Sequence, residues 1–403
     1  MPLRDDAREI QGDLVELRRA LHREPELGLA LPRTQEKVLA ALDGLPLEIG
    51  LGESLTSVTA VLRGARPGPT VLLRGDMDAL PVTERTGLDY AAAADRMHAC
   101  GHDLHTTMLA GAAQLLSAHA DRLAGDVVLM FQPGEEGYDG ASHMINEGVL
   151  DASGSTPIAA YALHVMSAGM PSGVFSSRRG PFLSASDTVT VTVRGAGGHG
   201  SMPHLARDPI PAACEMVLAL QTLVTRTFDI ADPVVITVGA FHSGTQHNVI
   251  PDEVLFEATV RSFSGRAHAQ VRDGIVRVLR GIAAAHALQV DIDYRDCYPV
   301  TVNDHTETEF VDDAISEVHG AERFSWADRP LSGSEDFSRV LDKIPGTFVA
   351  LGACPPGTDA ENAANNHSSL AVFDDAVLSD GAAVYAELAI RRLAHAPSPA
   401  IAP

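Results

Sequence analysis

Thr70-Val71-Leu72-Leu73-Arg74-Gly75-Asp76-Met77-Asp78 is a compact apolar run that ends among acidic residues. A short apolar stretch bounded by turn-forming residues predicts a buried strand. Carboxylates just past a strand's C-terminal end stand where open α/β sheets place their chemistry. The same design recurs twice. Residues 126–131 predict a strand that runs into Gln132-Pro133-Gly134-Glu135-Glu136, and residues 158–163 predict one that ends at His164. A helix is predicted over 105–119. Three apolar strands that each deliver ligand-type side chains at one end argue for an α/β domain with a mostly parallel central sheet.

Outward from this core, helical spacing of Ile10, Leu14, Leu17 and Leu21 predicts a helix over 6–21, with another over 34–42 and a strand over 57–62. Around Pro181 the pattern changes. Residues 187–194 alternate polar and apolar, as a half-buried strand does. A helix over 208–228, strands over 234–239 and 253–262, a helix over 267–287 and a strand over 289–294 complete a βαββαβ order, the ferredoxin-like arrangement. After Thr301 the α/β pattern resumes, with a strand predicted over 345–351. The reading is a discontinuous α/β domain, 1–183 and 297–403, interrupted by an inserted domain, 184–296. The Pro/Ala-rich tail over 395–403 is expected to fray.

A chain of 403 residues is long enough for two cores. At 45% hydrophobic and 21% charged residues its composition is globular. A formal charge of −23 disfavours nucleic acid and anionic membrane surfaces as partners. The N-terminal stretch is charged throughout and lacks an apolar signal core, and no run of about 18 apolar residues is present. Four widely spaced cysteines do not form a disulfide framework, so a reducing cytoplasm is the expected location.

The densest chemistry lies in Met97-His98-Ala99-Cys100-Gly101-His102-Asp103-Leu104-His105. A lone histidine or cysteine is usually structural, but here thiol, imidazole and carboxylate crowd together beside a helix start, the composition of a metal site. Glu135 and Glu136 follow a buried strand and a Pro-Gly turn. In an extended segment neighbouring side chains point to opposite sides, so one carboxylate can bind metal while the other faces a water. Metal-assisted hydrolysis needs that division of labour. His164 and His367 are further ligand candidates whose weight comes from the constellation. In the inserted segment, Gly195-Ala196-Gly197-Gly198-His199-Gly200-Ser201 lacks the spacing of a nucleotide loop and instead presents His199. Asn248, with Arg261 on the next strand, reads either as an ordinary loop and surface arginine or as an anion clamp.

Taken together, the chain resembles the zinc-type aminoacylase and carboxypeptidase family, in the branch of hippurate hydrolases and indoleacetyl-amino-acid hydrolases. The motifs that carry the resemblance are Leu21-His22-Arg23-Glu24-Pro25-Glu26-Leu27-Gly28, Gly75-Asp76-Met77-Asp78-Ala79-Leu80-Pro81, His98-Ala99-Cys100-Gly101-His102-Asp103, Glu135-Glu136-Gly137, Gly197-Gly198-His199-Gly200-Ser201-Met202-Pro203-His204, Asn248-Val249-Ile250-Pro251-Asp252 and Gly333-Ser334-Glu335-Asp336-Phe337. The resemblance implies a metallo-exopeptidase-like catalytic domain with a dimerising lid domain. It implies that Cys100, His102, Glu136, His164 and His367 bind two divalent metals, zinc or manganese, with cobalt or nickel as substitutes. Glu135 would be the general base, with Asp78 orienting a metal ligand from behind. His199, from a partner subunit of a homodimer, would stabilise the oxyanion, and Asn248 and Arg261 would hold the substrate carboxylate.

The sequence departs from the wider pattern at two places. Asp76-Met77-Asp78 stands where other branches carry His-x-Asp, so Cys100 takes over from a missing histidine. Leu29-Ala30-Leu31-Pro32 stands where an acidic residue often follows the Pro-Glu-Leu-Gly motif. The implied reaction is hydrolysis of the amide bond of N-acyl amino acids. A metallo-exopeptidase acting on dipeptides is the nearest alternative. A non-catalytic binding protein is a third, disfavoured by the intact Glu135 and ligand set.

Overall fold

The computed structural model describes residues 2–395. The tail over 396–403 lies outside them. These residues form a larger unit, which runs to Phe182 and resumes over Val302–Arg329 and from Asp336, and a smaller unit, Leu183–Thr301 with Pro330–Glu335.

In the larger unit eight strands form one sheet, in the order Leu47–Leu51, Val58–Leu62, Asp126–Gln132, Thr70–Asp76, Ala159–Met166, Gly346–Gly352, Phe175–Ser177 and Phe324–Trp326. Its middle is parallel: Thr70–Asp76 pairs in parallel with Asp126–Gln132 on one side and with Ala159–Met166 on the other, and Gly346–Gly352 continues the set. Antiparallel pairing returns where Val58–Leu62 meets Asp126–Gln132 and where Gly346–Gly352 meets Phe175–Ser177. The sheet is α/β in class, as the strand pattern predicts. The central strands are buried along nearly their whole length, which explains why they read as continuous apolar runs rather than alternating ones.

Element ends differ from expectation in three instructive ways. The predicted 6–21 helix is two helices, Pro2–Glu9 and Gln11–Arg23, separated at Ile10. The strand bearing His164 continues to Met166, because its pairing with the 346–352 strand extends to Gly352. The helix after the cysteine-histidine cluster starts at His102 rather than at 105. Gly101 makes this early start possible. Its φ of +81° lies in the left-handed region, and a Cβ there would stand 2.3 Å from Val165 Cγ2. A glycine is therefore required at the turn that swings His102 onto the helix's first position.

Helices His102–Ala118 and Val377–Ala394 pack against the sheet through a continuous apolar core. Tyr385, on the second helix, accepts the backbone N–H of Leu163 at 2.7 Å and donates to the carbonyl of Arg74 at 2.6 Å, tying it to two adjacent strands.

The smaller unit has the predicted βαββαβ order. Its antiparallel sheet runs Val234–Ser243, Glu253–Ser262, Ala185–Arg194, Gln289–Tyr298. Val189, Val191, Val193, Phe256 and Val260 face Leu220, Val271, Ile275 and Leu279 of helices Pro209–Thr227 and Gly265–Ala285. Alternate positions on these strands stay more open, as a sheet with one covered face requires. Among the described residues no helix is long and apolar enough to cross a membrane.

Candidate metal centre

The C-terminal ends of the parallel strands converge in the larger unit, and four segments meet there. Cys100 comes from the turn before the 102–118 helix, His102 from that helix's first residue, Glu135 and Glu136 from the turn after the 126–132 strand, and His164 from within the 159–166 strand. His367 arrives from a loop far along the chain. Its φ of +70° places it in the left-handed region, and its N–H donates to the carbonyl of Ala99 at 2.8 Å.

These side chains form overlapping sets. The thiol of Cys100 lies 3.4 Å from Nε2 of His164 and 3.2 Å from Nε2 of His367. His367 Nε2 is 3.2 Å from Glu136 Oε1, and His102 Nε2 is 4.0 Å from the same oxygen. Potential ligand atoms of Cys100, His102 and His164 cluster within 4.8 Å of one another, as do those of Cys100, Glu136 and His367, and those of His102, Glu135 and Glu136. Cys100, His102 and Glu136 each belong to two of these groups, and Cys100 is the residue that joins the His164 group to the His367 group.

A buried polar atom without a partner normally costs about 1–3 kcal/mol. Both ring nitrogens of His102 are buried without a well-aligned hydrogen bond, and Glu136 Oε1 is buried with only imidazoles beside it. A cation among thiol, imidazole and carboxylate donors would satisfy all three, so the residues fit divalent metal ions. Electrostatics agree. The thiol of Cys100 and then the carboxylate of Glu136 raise His367 to about 10, which marks a place where positive charge is favoured. Burial pulls His102 down, but Asp76, Asp78 and Cys100 together raise it well above the ordinary imidazole value. Burial, helped by His105, drives His164 far down and keeps it neutral, the form that ligates metal.

The glutamates do not alternate along an extended segment as expected. Glu135, Glu136 and Gly137 form a turn, with the N–H of Gly137 donating to the carbonyl of Glu135 at 2.7 Å. The carboxylate of Asp78 holds that turn. Its Oδ1 accepts the N–H of Glu135 at 2.9 Å, and its Oδ2 that of Glu136 at 3.0 Å. Asp78 Oδ1 also stands 3.5 Å from His102 Nδ1. Asp78 thus serves the turn more directly than the single ligand it was expected to orient.

Residues behind the centre were less apparent in sequence. Arg74 is wholly buried and bonds Asp76 Oδ2, Asp336 Oδ1 at 2.9 Å and Gln132 Oε1 at 2.9 Å. Burial would raise Asp76, but Arg74, His102 and His105 hold its carboxyl well below the usual range. Asp76 Oδ1 receives Nδ1–H of His105 at 2.6 Å, while His105 Nε2 accepts the N–H of Val165 at 2.8 Å. Both nitrogens of His105 are thereby committed. A charged residue inside an apolar strand was the available signal, since buried Arg74 had to find a carboxylate. Arg18 forms a second such network with Asp103 at 2.8 Å, Asp375 at 3.0 Å and Tyr90 at 2.7 Å.

The remaining predicted residues lie in the smaller unit. Strand Gly198–His199 pairs antiparallel with Val249–Ile250, and Gly200 donates to the carbonyl of Asn248 at 2.8 Å, so His199 and Asn248 are neighbours. His199 Nδ1 accepts the N–H of Ser201 at 3.2 Å, which leaves its Nε2 as the N–H donor. Arg261 stands on the 253–262 strand, half-buried, with Nη1 buried and unpartnered. Burial lowers its pKa from the arginine value without threatening its charge.

Residues 72–391 match the model of peptidase family M20/M25/M40. The chain is 37% identical to thermostable carboxypeptidase 1 of Saccharolobus solfataricus, over 96% of this chain and 98% of that protein. It is 34% identical to hippurate hydrolase of Campylobacter jejuni, again over 96% and 98%. The crystal structure of the Bacillus subtilis YXEP protein, described as a dinuclear metal binding peptidase from the M20 family, superposes with a TM-score of 0.83. That likeness covers 96% of this chain and all of that one, at 30% identity.

Proposed function

The chain belongs to peptidase family M20/M25/M40, a hydrolase of amide bonds, and from that premise we propose that it releases the free amino acid from N-acyl-L-amino acids of hippurate-like, acetyl or indoleacetyl type. The observation that carries this reading is the junction at Cys100, one thiol shared by two groups of potential ligands. Cys100, His102, Glu136, His164 and His367 would hold two divalent ions, zinc or manganese by donor chemistry. Such ions, when bound, acidify a water and polarise the scissile carbonyl.

The chain's own groups divide the remaining work. Glu135, nine-tenths buried beside His102 and Glu136, takes the proton of the attacking water and returns it to the leaving amine. Asp78 holds the turn that aims it. Arg261 and Asn248 bind the substrate carboxylate, the guanidinium supplying a charge-assisted fork. His199 donates Nε2–H to the developing oxyanion. In this reading the protein is a homodimer, His199 of each subunit serves the other's centre, and the segment over 184–296 is the dimerising lid domain within a catalytic domain of 1–183 and 297–403. A cytoplasmic location completes the proposal.

A dipeptidase reading has the carboxypeptidase relative in its favour. One experiment separates them. Metal-free protein is reconstituted with zinc, manganese, cobalt or nickel and assayed on acetyl, benzoyl and indoleacetyl amino acids beside dipeptides. Faster turnover of the acyl amino acids is expected. Preference for dipeptides across all metals would overturn the assignment.

A further inference from the structure

Asn366 immediately precedes His367, and its side chain bonds Cys100, Val165 and Ser167 at once. Its Nδ2 donates to the carbonyl of Val165 at 2.9 Å and to the carbonyl of Cys100 at 3.3 Å, and lies 3.8 Å from the sulfur of Cys100. Its Oδ1 accepts the N–H of Ser167 at 2.9 Å, and the Ser167 hydroxyl stands 2.9 Å from the same oxygen. The amide cannot be reversed. A flip would set its oxygen against two carbonyls and its N–H₂ against a backbone donor.

The acceptor at Val165 matters most. That carbonyl also receives Nδ1–H of His164 at 2.9 Å, which leaves the Nε2 lone pair facing the thiol. Asn366 therefore fixes the carbonyl that sets the tautomer and aim of His164. It fixes the backbone and sulfur of Cys100 as well, and it sits next to His367. Cys100 and the carbonyl behind His164, which come from separate segments, share this one amide, carried on the residue before His367.

We propose that Asn366 is a positioning residue of the metal centre, its amide holding the Cys100 sulfur and the carbonyl behind His164 at the spacing that binding of the ions requires. The proposal rests on the reading of Cys100, His164 and His367 as ligands given above. An N–H directed at a thiolate also withdraws charge from it, so the same contact tunes the sulfur as a donor.

The test uses full-length protein with cobalt as the probe, read by the thiolate-to-cobalt charge-transfer band and by competition with a chromophoric chelator. Asn366→Ala and Asn366→Leu remove the amide. Ser167→Ala removes only the hydroxyl at its far side. Expected are a shifted or weakened band and about 10–100-fold weaker retention of cobalt in the Asn366 variants. Ser167→Ala should keep the wild-type band. Wild-type behaviour of a folded Asn366 variant overturns the proposal, as does equal disturbance by Ser167→Ala, which would mark a mere structural clamp. If neither Asn366 variant folds while Ser167→Ala does, the residue is structural and the proposal fails. A wild-type protein that shows no thiolate band defeats the ligand reading itself, and this inference with it.

Discussion

The sulfur of Cys100 lies 3.2 Å from Nε2 of His367, although 267 positions separate the two residues in the chain. No local preference brings them together; the sheet does. Parallel strands carry Glu136 and His164 to one edge, the turn before the 102–118 helix brings Cys100 there, and the loop over 364–367 closes on that edge through Ala99 and Val165. A metal centre assembled this way should respond to its parts collectively.

Replacing Cys100 with serine removes the atom shared by the His164 and His367 groups of potential ligands. Metal content measured by elemental analysis should drop below two ions per chain after dialysis that leaves the wild type loaded. Undiminished content would show that the thiol is not a ligand.

Glu135→Gln keeps the shape of the side chain and removes its basicity. We expect kcat to fall by about 10²–10⁴-fold with metal content unchanged, the range for losing a positioned general base. Initial rates together with metal analysis decide this, and full activity in the variant would assign the proton transfer elsewhere.

Arg261→Met should separate recognition from chemistry. A hydrogen bond to a charged group is worth about 1.5–3 kcal/mol, roughly 10–150-fold in kcat/KM. The loss should appear with N-acyl amino acids and be absent with acyl amides that lack the carboxylate. An equal loss on both substrates would point to a structural role instead.

Much of this was legible beforehand. Compact apolar runs ending in polar residues located the parallel strands, and alternation over 187–194 located the antiparallel domain. The candidate ligands stood out because thiol, imidazole and carboxylate crowd into few positions. What stayed hidden depends on three-dimensional partners. Asn366 reads as one polar loop residue until Val165 and Cys100 are beside it. The turn at Glu135 is imposed by Asp78, 57 positions away, and no local pattern announces it. Ile10 looks like any apolar residue of a helical stripe, yet the helix breaks there.

The Arg18 network offers a stability test. Arg18 and Asp103 are both fully buried, and Asp103 also meets His22 at 2.8 Å. Arg18→Met leaves that carboxylate with His22 alone, and removing one partner of a buried pair costs about 3–5 kcal/mol. The melting temperature should fall clearly, and Asp103→Asn in the same chain should restore part of the loss. A neutral outcome for Arg18→Met would contradict the network's role.

His268 makes a pH-dependent contribution in the smaller unit. Its Nε2 lies 2.9 Å from Asp187 Oδ2 and 3.3 Å from Asp296, and its pKa is raised, chiefly by the hydrogen bond to Asp187 and against the pull of burial. Arg272, paired with Asp296, opposes the rise, and Tyr294 completes the set through its own bond to Asp187. A raised folded value means that the native state binds the proton more tightly than the unfolded state. The stabilisation is complete below the unfolded imidazole value of about 6.5 and fades as pH rises through the folded value. Wild type should exceed His268→Gln in melting temperature by more at pH 6 than at pH 9. A constant gap would remove protonation from the explanation.

Arg74 and Asp76 bear on how this centre can change over time. Position 76 holds a carboxylate that, with Asp336, neutralises a wholly enclosed guanidinium. A histidine at 76 would leave Arg74 with Asp336 as its one remaining carboxylate and strip His105 of its acceptor in the same stroke. A histidine at 76 would need compensating changes around Arg74 and His105, so the make-up of the centre is constrained by side chains that stand behind it.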